Sequence, residues 1–210
     1  MAFVFTSFSR GGASRHRRAH TSAGAYTLIE LLAVMTLIAA LVALAVPTTL
    51  RVQQSANLNS AGQTLNDMLY LARQEAVSKS HEVQVLFLKS TNINQWRAIQ
   101  IRRMDETTTG PTPAPVSRIT WLPEGVIIEE GARSPLLTAD ALITGTITLP
   151  NGKTMDYRGF RYRANGSTDN SITSANNYLT LRHAASGATA VNYYTVQVNP
   201  ITGKPTTYRP

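Results

Sequence analysis

Glu30 is the only charged residue between Ala25 and Val46, inside the run GAYTLIELLAVMTLIAALVALAVP that ends at Pro47. A carboxylate in hydrocarbon costs roughly 2.5–3.5 kcal/mol on insertion scales, so an acid there marks either a pairing with a cation or a position shallow enough to stay hydrated. The remaining groups with chemical potential are poorly placed for catalysis. His16 and His20 precede the run, His81 and His183 stand apart, and no H-E-x-x-H pair exists to hold a metal. Glu129 and Glu130 are adjacent, so on a strand they point to opposite faces and cannot work as an acid and base on one proton; they read as solvated strand-end charges. There is no G-x-S-x-G, Walker A or G-x-G-x-x-G motif, and no cysteine to supply a thiolate or a disulfide. These features argue against an enzyme and imply no cofactor, no metal and no small-molecule substrate. A basic set remains: Arg158, Arg161, Arg163 and Arg182, with Lys204 and Arg209, interleaved with Tyr157, Tyr162 and Tyr208. On one face it would suit nucleic-acid phosphates and bases; the plainer reading is solvated strand faces.

The elements that must carry these groups follow from pattern. The chain has 210 residues, 43% hydrophobic and 15% charged, which fits one domain with a modest core plus an extension. Its net charge of +8 includes Arg10, Arg15, Arg17 and Arg18; without those four it falls from +8 to +4, because no acid precedes residue 25. Residues 1–25 therefore read as a basic targeting segment ahead of an apolar run. From Ala25 to Val46 the run matches a hydrocarbon core of roughly 30 Å, and predicts a single membrane crossing with the amino end in the cytoplasm. A cleaved secretory signal is the rival; the length of the run and the lack of an A-x-A site with polar residues after it count against that. Beyond Pro47, which should kink the helix, Leu58, Ala61, Leu65, Met68, Leu69, Ala72 and Ala76 recur at spacings of three and four. One long helix is expected over 26–80, transmembrane over about 26–47 and amphipathic over about 48–80, with its stripe packed on its own domain in preference to a coiled coil.

After His81 the period changes. EVQVLFL, WRAIQI, RITWL, GVIIEE, GTITL, GFRYR, YLTLR and YYTVQV predict short strands in a head over 81–210. The segment ETTTGPTPAP from Glu106 to Pro115 reads as an exposed loop, and Asn165-Gly166-Ser167 as a turn.

The stretch G-A-Y-T-L-I-E-L-L-A-V-M resembles the class III signal of type IV prepilins and type II secretion pseudopilins: a small residue, an aromatic, then T-L-[IV]-E-L-[LM]. The resemblance implies that a prepilin peptidase removes residues 1–25 at Gly24-Ala25-Tyr26, cutting before Tyr26 and methylating its new amino group. Glu30 becomes the fifth mature residue and Pro47 the twenty-second. The family usually has glycine before the cut, where this chain has Ala25, which leaves cleavage after Gly24 as the other register. In such filaments the glutamate meets the amino terminus of a neighbouring subunit. LARQEAVSKSHEVQV, FRYRANGS and YTVQVNPITGK are similar to the GspH/FimT group of minor pseudopilins, and YTLIELLAVM is also similar to prepilin-like Verru_Chthon cassette protein D. What these resemblances imply is an α+β fold, a long N-terminal transmembrane α-helix packed onto a C-terminal antiparallel head of two sheets. They also imply a structural subunit at the bacterial inner membrane, head in the periplasm, with the peptidase, other pilins and lipid as partners. DNA uptake is the alternative, although the tail TGKPTTYRP is less basic than that of FimT-like DNA readers.

Overall fold

The structure is a computed structural model describing residues 26–90, 94–107, 110–138, 143–172, 177–187 and 191–210, with the backbone alone at 44–50, 106–107 and 111. One helix, α1, runs Leu28–Lys79, and ten strands follow: β1 Val83–Ser90, β2 Gln95–Thr107, β3 Gly110–Pro115, β4 Thr120–Trp121, β5 Val126–Ile128, β6 Ile143–Thr148, β7 Thr154–Tyr162, β8 Tyr178–His183, β9 Tyr193–Val198 and β10 Pro205–Tyr208. A 3-10 turn, Pro135–Leu137, lies between β5 and β6.

α1 begins with Thr27-Leu28-Ile29-Glu30, the spacing of a capping box, and the Glu30 N–H donates to Thr27 Oγ1 at 3.3 Å. It ends where Ser80 takes φ 53° and the His81 N–H reaches back to the Ala76 carbonyl at 3.2 Å, the six-to-one bond of a Schellman stop. Compact units divide the chain at Ala45/Val46. In the second, Leu58, Ala61, Leu65, Met68, Leu69, Ala72 and Ala76 are all buried, and they join one core with Val83, Val85, Phe87, Ile99, Ile101, Phe160, Tyr162, Leu181 and Val196 from the strands. Close approach is needed at Gly62, where a Cβ would lie 2.5 Å from the Tyr194 ring.

All strand pairings are antiparallel, and the sheet order is β10-β9-β8-β5-β2-β1-β7-β6, with β3 and β4 also paired to β2. Alternation sets the faces. Val83, Val85 and Phe87 of β1 face the α1 core with Ile101, Ile99, Phe160 and Tyr162. Leu88, Ala98 and Met155 form a second, smaller cluster with Ile119, Ile147, Leu149 and Tyr157, on the opposite face. β1 is thus buried on both sides, and even Gln84 is only 8% exposed.

The expected fold class is corrected. A single ten-stranded antiparallel sheet dominates the chain, in place of a head of two sheets carried by a transmembrane α-helix. Among the described residues no helix is long and apolar enough to cross a membrane. From Arg51 onward polar side chains take over one side of α1.

The segment 106–115 is likewise not a loop: β2 extends to Thr107 and β3 pairs with it from Gly110 to Pro115. The prolines that argued against a strand stand at 111, 113 and 115. At alternate positions every missing N–H faces the same side, so the ladder to β2 on the other side survives.

Candidate functional site

The first candidate is the amino-terminal part of α1. Tyr26 is 80% exposed and Leu28 83%, and Leu31, Leu32, Met35, Leu37, Ile38 and Leu41 are also exposed, so large apolar side chains point outward in all directions around the helix. A helix apolar all round is built to be covered. Glu30 is exposed among them, in the first turn, where a carboxylate also complements the positive end of the helix dipole. The Thr27 cap is legible in the T-L-I-E spacing. Gly24 and Ala25, the residues before the expected cut, and the leader 1–25 lie outside the described residues. Pro47 lies within α1, and its side chain is likewise outside the description.

The basic set does not form one face. Arg158 pairs across β1 with Phe87 and sits on the α1 side of the sheet, whereas Arg161 pairs with Gln84 and sits on the other. Most of these charges are already engaged. Arg158 Nη1 lies 2.9 Å from Glu130 Oε1, also donates to the Leu137 carbonyl, and its guanidinium stands 5.3 Å from the Trp96 ring centre. Arg161 contacts Glu82 at 3.3 Å and Asp169 at 3.7 Å. Arg182 contacts Glu129 at 3.4 Å and donates to the Ser186 carbonyl at 2.6 Å. Arg209 donates to Ser55 Oγ and Asn192 Oδ1. Arg163 and Lys204 are exposed on neighbouring turns, beyond the end of β7 and ahead of β10. Arg163 falls one residue past the end of β7.

Glu129 and Glu130, expected as solvated strand-end charges, are instead the centres of two ion clusters. Their opposite orientation holds. Glu129 is only 11% exposed and faces Arg182 and Arg133. Glu130 accepts from Lys89 Nζ at 3.2 Å and Trp96 Nε1 at 3.1 Å as well as from Arg158. Burial alone would raise the Glu130 carboxyl, but the Trp96 and Lys89 hydrogen bonds outweigh it and hold the group below its ordinary range. Asp169 shows the reverse: burial raises its carboxyl despite the Arg161 N–H that it accepts. Lys89, Trp96, Arg158 and Arg182 come from strands distant in sequence from Glu129 and Glu130, which is why spacing did not reveal them. A cleft of about 440 Å³ beside Glu130, lined by Lys89, Trp96, Asp156, Tyr157 and Arg158, contains cations already balanced by acids.

No family model, no curated protein and no solved structure matches this chain.

Proposed function

We propose that this chain is a minor pilin-like structural subunit, cut by a prepilin peptidase before Tyr26, methylated there, and assembled into a type II secretion pseudopilus or a type IV pilus-like filament. The observation that carries the reading is the exposed, all-round apolar start of α1 with one carboxylate, Glu30, four residues after Tyr26. Such a surface needs an apolar cover, and parallel copies of the same helix supply one. In that setting the free amino group of a neighbouring Tyr26 is the cation that a carboxylate in low dielectric requires, and the pair sets register because leaving either partner alone is heavily penalised. Before assembly the cover is lipid, which gives the finer location, the bacterial inner membrane. The paired state of Arg158, Arg161 and Arg182 leaves little free charge for phosphate, so the structural role is favoured over DNA capture.

Intact mass and amino-terminal sequencing of the chain, expressed with and without a prepilin peptidase, test this. A methylated Tyr26 terminus that appears only with the peptidase is the expected result. An uncut chain in both hosts would refute the reading.

A further inference from the structure

β6 is one end of the sheet, paired to β7 along one side and, among the described residues, to nothing along the other. Exposed edges are normally protected by proline, charge, a bulge or brevity. The other outer strands have such protection: β3 carries Pro111, Pro113 and Pro115, and β10 is four residues long and opens on Pro205. β6 has none of these; it is Ile-Thr-Gly-Thr-Ile-Thr, uncharged in a chain of net charge +8.

Its sequence is also self-complementary. Ile143-Thr144-Gly145-Thr146-Ile147 reads the same in both directions. We propose that a second copy of this chain docks on this edge, β6 against β6, antiparallel about Gly145, so that the sheet continues across the pair. The inference does not rest on the proposed function, since no residue of α1 enters it.

The backbone is presented for this register. The Leu149 N–H donates to the Lys153 carbonyl at 2.8 Å, and the alternation of an antiparallel ladder then points the backbone groups of Thr144 and Thr146 away from β7. Pairing about Gly145 sets Thr144 against the partner's Thr146, and both exchange their free N–H and C=O groups. Side chains agree as well. Thr146 neighbours Asp156 and Thr144 neighbours Arg158, so each row across the joined sheet carries an acid at one end and a base at the other. At the centre Gly145 opposes its own copy. The Tyr157 hydroxyl occupies the space a Cβ there would need, 2.6 Å from that position, so the close central approach is between two glycines.

The chain contains no cysteine, so a single introduced thiol gives one spin label per copy. With strands rising about 3.4 Å per residue and lying about 4.8 Å apart, labels at T148C should be separated by roughly 21 Å and labels at T154C by roughly 25 Å, backbone to backbone. Pulsed dipolar spectroscopy on the full chain in detergent micelles should give both distances. The double variant T144K/T146K, which opposes like charges across the edge, should abolish them while leaving the melting temperature unchanged. Absence of either distance, a pair of distances that this register does not fit, or their survival in the lysine variant would overturn the proposal. Association through α1 alone produces neither distance.

Discussion

Replacing Glu30 by glutamine and by alanine separates the two roles that the residue combines. In the structure Glu30 is the fourth residue of the T-x-x-E spacing of a capping box, and its N–H donates to Thr27 Oγ1. Glutamine serves in that box as glutamate does, so E30Q keeps the helix start and removes only the charge. As a helix-end charge, Glu30 contributes about 0.3–1 kcal/mol, a factor of five or so at most. As the counter-ion of a neighbouring amino terminus inside a dry bundle it contributes far more. Stripping one partner from a buried pair costs about 3–5 kcal/mol, roughly two to four orders of magnitude at each subunit contact. The assay is the fraction of chain recovered in sheared filaments against membranes, in a host that assembles the filament, with intact mass confirming that processing has occurred. We expect E30Q and E30A to be processed and to fail in assembly alike. Wild-type assembly by E30Q, with only E30A impaired, would refute the ion pair and leave a helix cap.

Glu129 and Glu130 differ in what their removal exposes. E129Q leaves Arg182 nearly buried without its carboxylate; because Arg182 keeps its carbonyl acceptors and Arg133 is 41% exposed, the cost should be about 2 kcal/mol, or roughly 4–8 °C in melting temperature. E130Q acts at a carboxylate that is 42% exposed and should cost about 1 kcal/mol or less; equal losses in the two melts would contradict the assignment. Gly62→Ala gains helix propensity of about 1 kcal/mol but drives a methyl into the Tyr194 ring, so a net loss of about 1 kcal/mol is expected in a urea titration, and a gain would show that the ring moves freely. The pH profiles should separate by sign. The lowered Glu130 carboxyl gives stability that is present above its ordinary value of 4.5 and is lost as pH falls through the folded value, whereas the raised Asp169 carboxyl takes stability away as pH rises from 3.8. Urea midpoints between pH 3 and 6 should therefore climb less steeply in E130Q and more steeply in D169N than in the parent; slopes changed in the opposite directions would contradict the assignments.

The stripe from Leu58 to Ala76 was legible because burial on a helix repeats at three and four, and no other element imitates that period. Most strands were legible for a similar reason: β-branched and aromatic runs such as YYTVQV leave little else to form. β3 was missed because a Pro- and Thr-rich composition outweighed the alternation of its prolines, which is the feature that lets it pair. β10 was missed because Pro-Thr-Thr-Tyr is too short to announce itself without β9 beside it. Class and sheet count went wrong for a different reason. Sequence marks where strands are but not that β5, three residues long, joins β8 to β2 and so makes one sheet of what would otherwise be two.

The candidate sites divide along the same line. Features made by neighbours in the chain, such as the T-L-I-E start of α1 or the palindrome about Gly145, are present in the sequence before any fold is known. Their meaning still depends on position. The palindrome is mere repetition in a central strand and a docking surface only at an edge, and β6 is an edge because β7, its hairpin partner, pairs along its other side with β1. Features made by distant partners, such as the pairing of Glu129 with Arg182 and of Glu130 with Lys89 and Arg158, have no local signature. Their effect is to neutralise Arg158 and Arg182, two of the arginines that sequence alone had offered to DNA. The positive charge of the chain is therefore a weak guide to its partners, and the exposed apolar start of α1, a single continuous segment, is the stronger one.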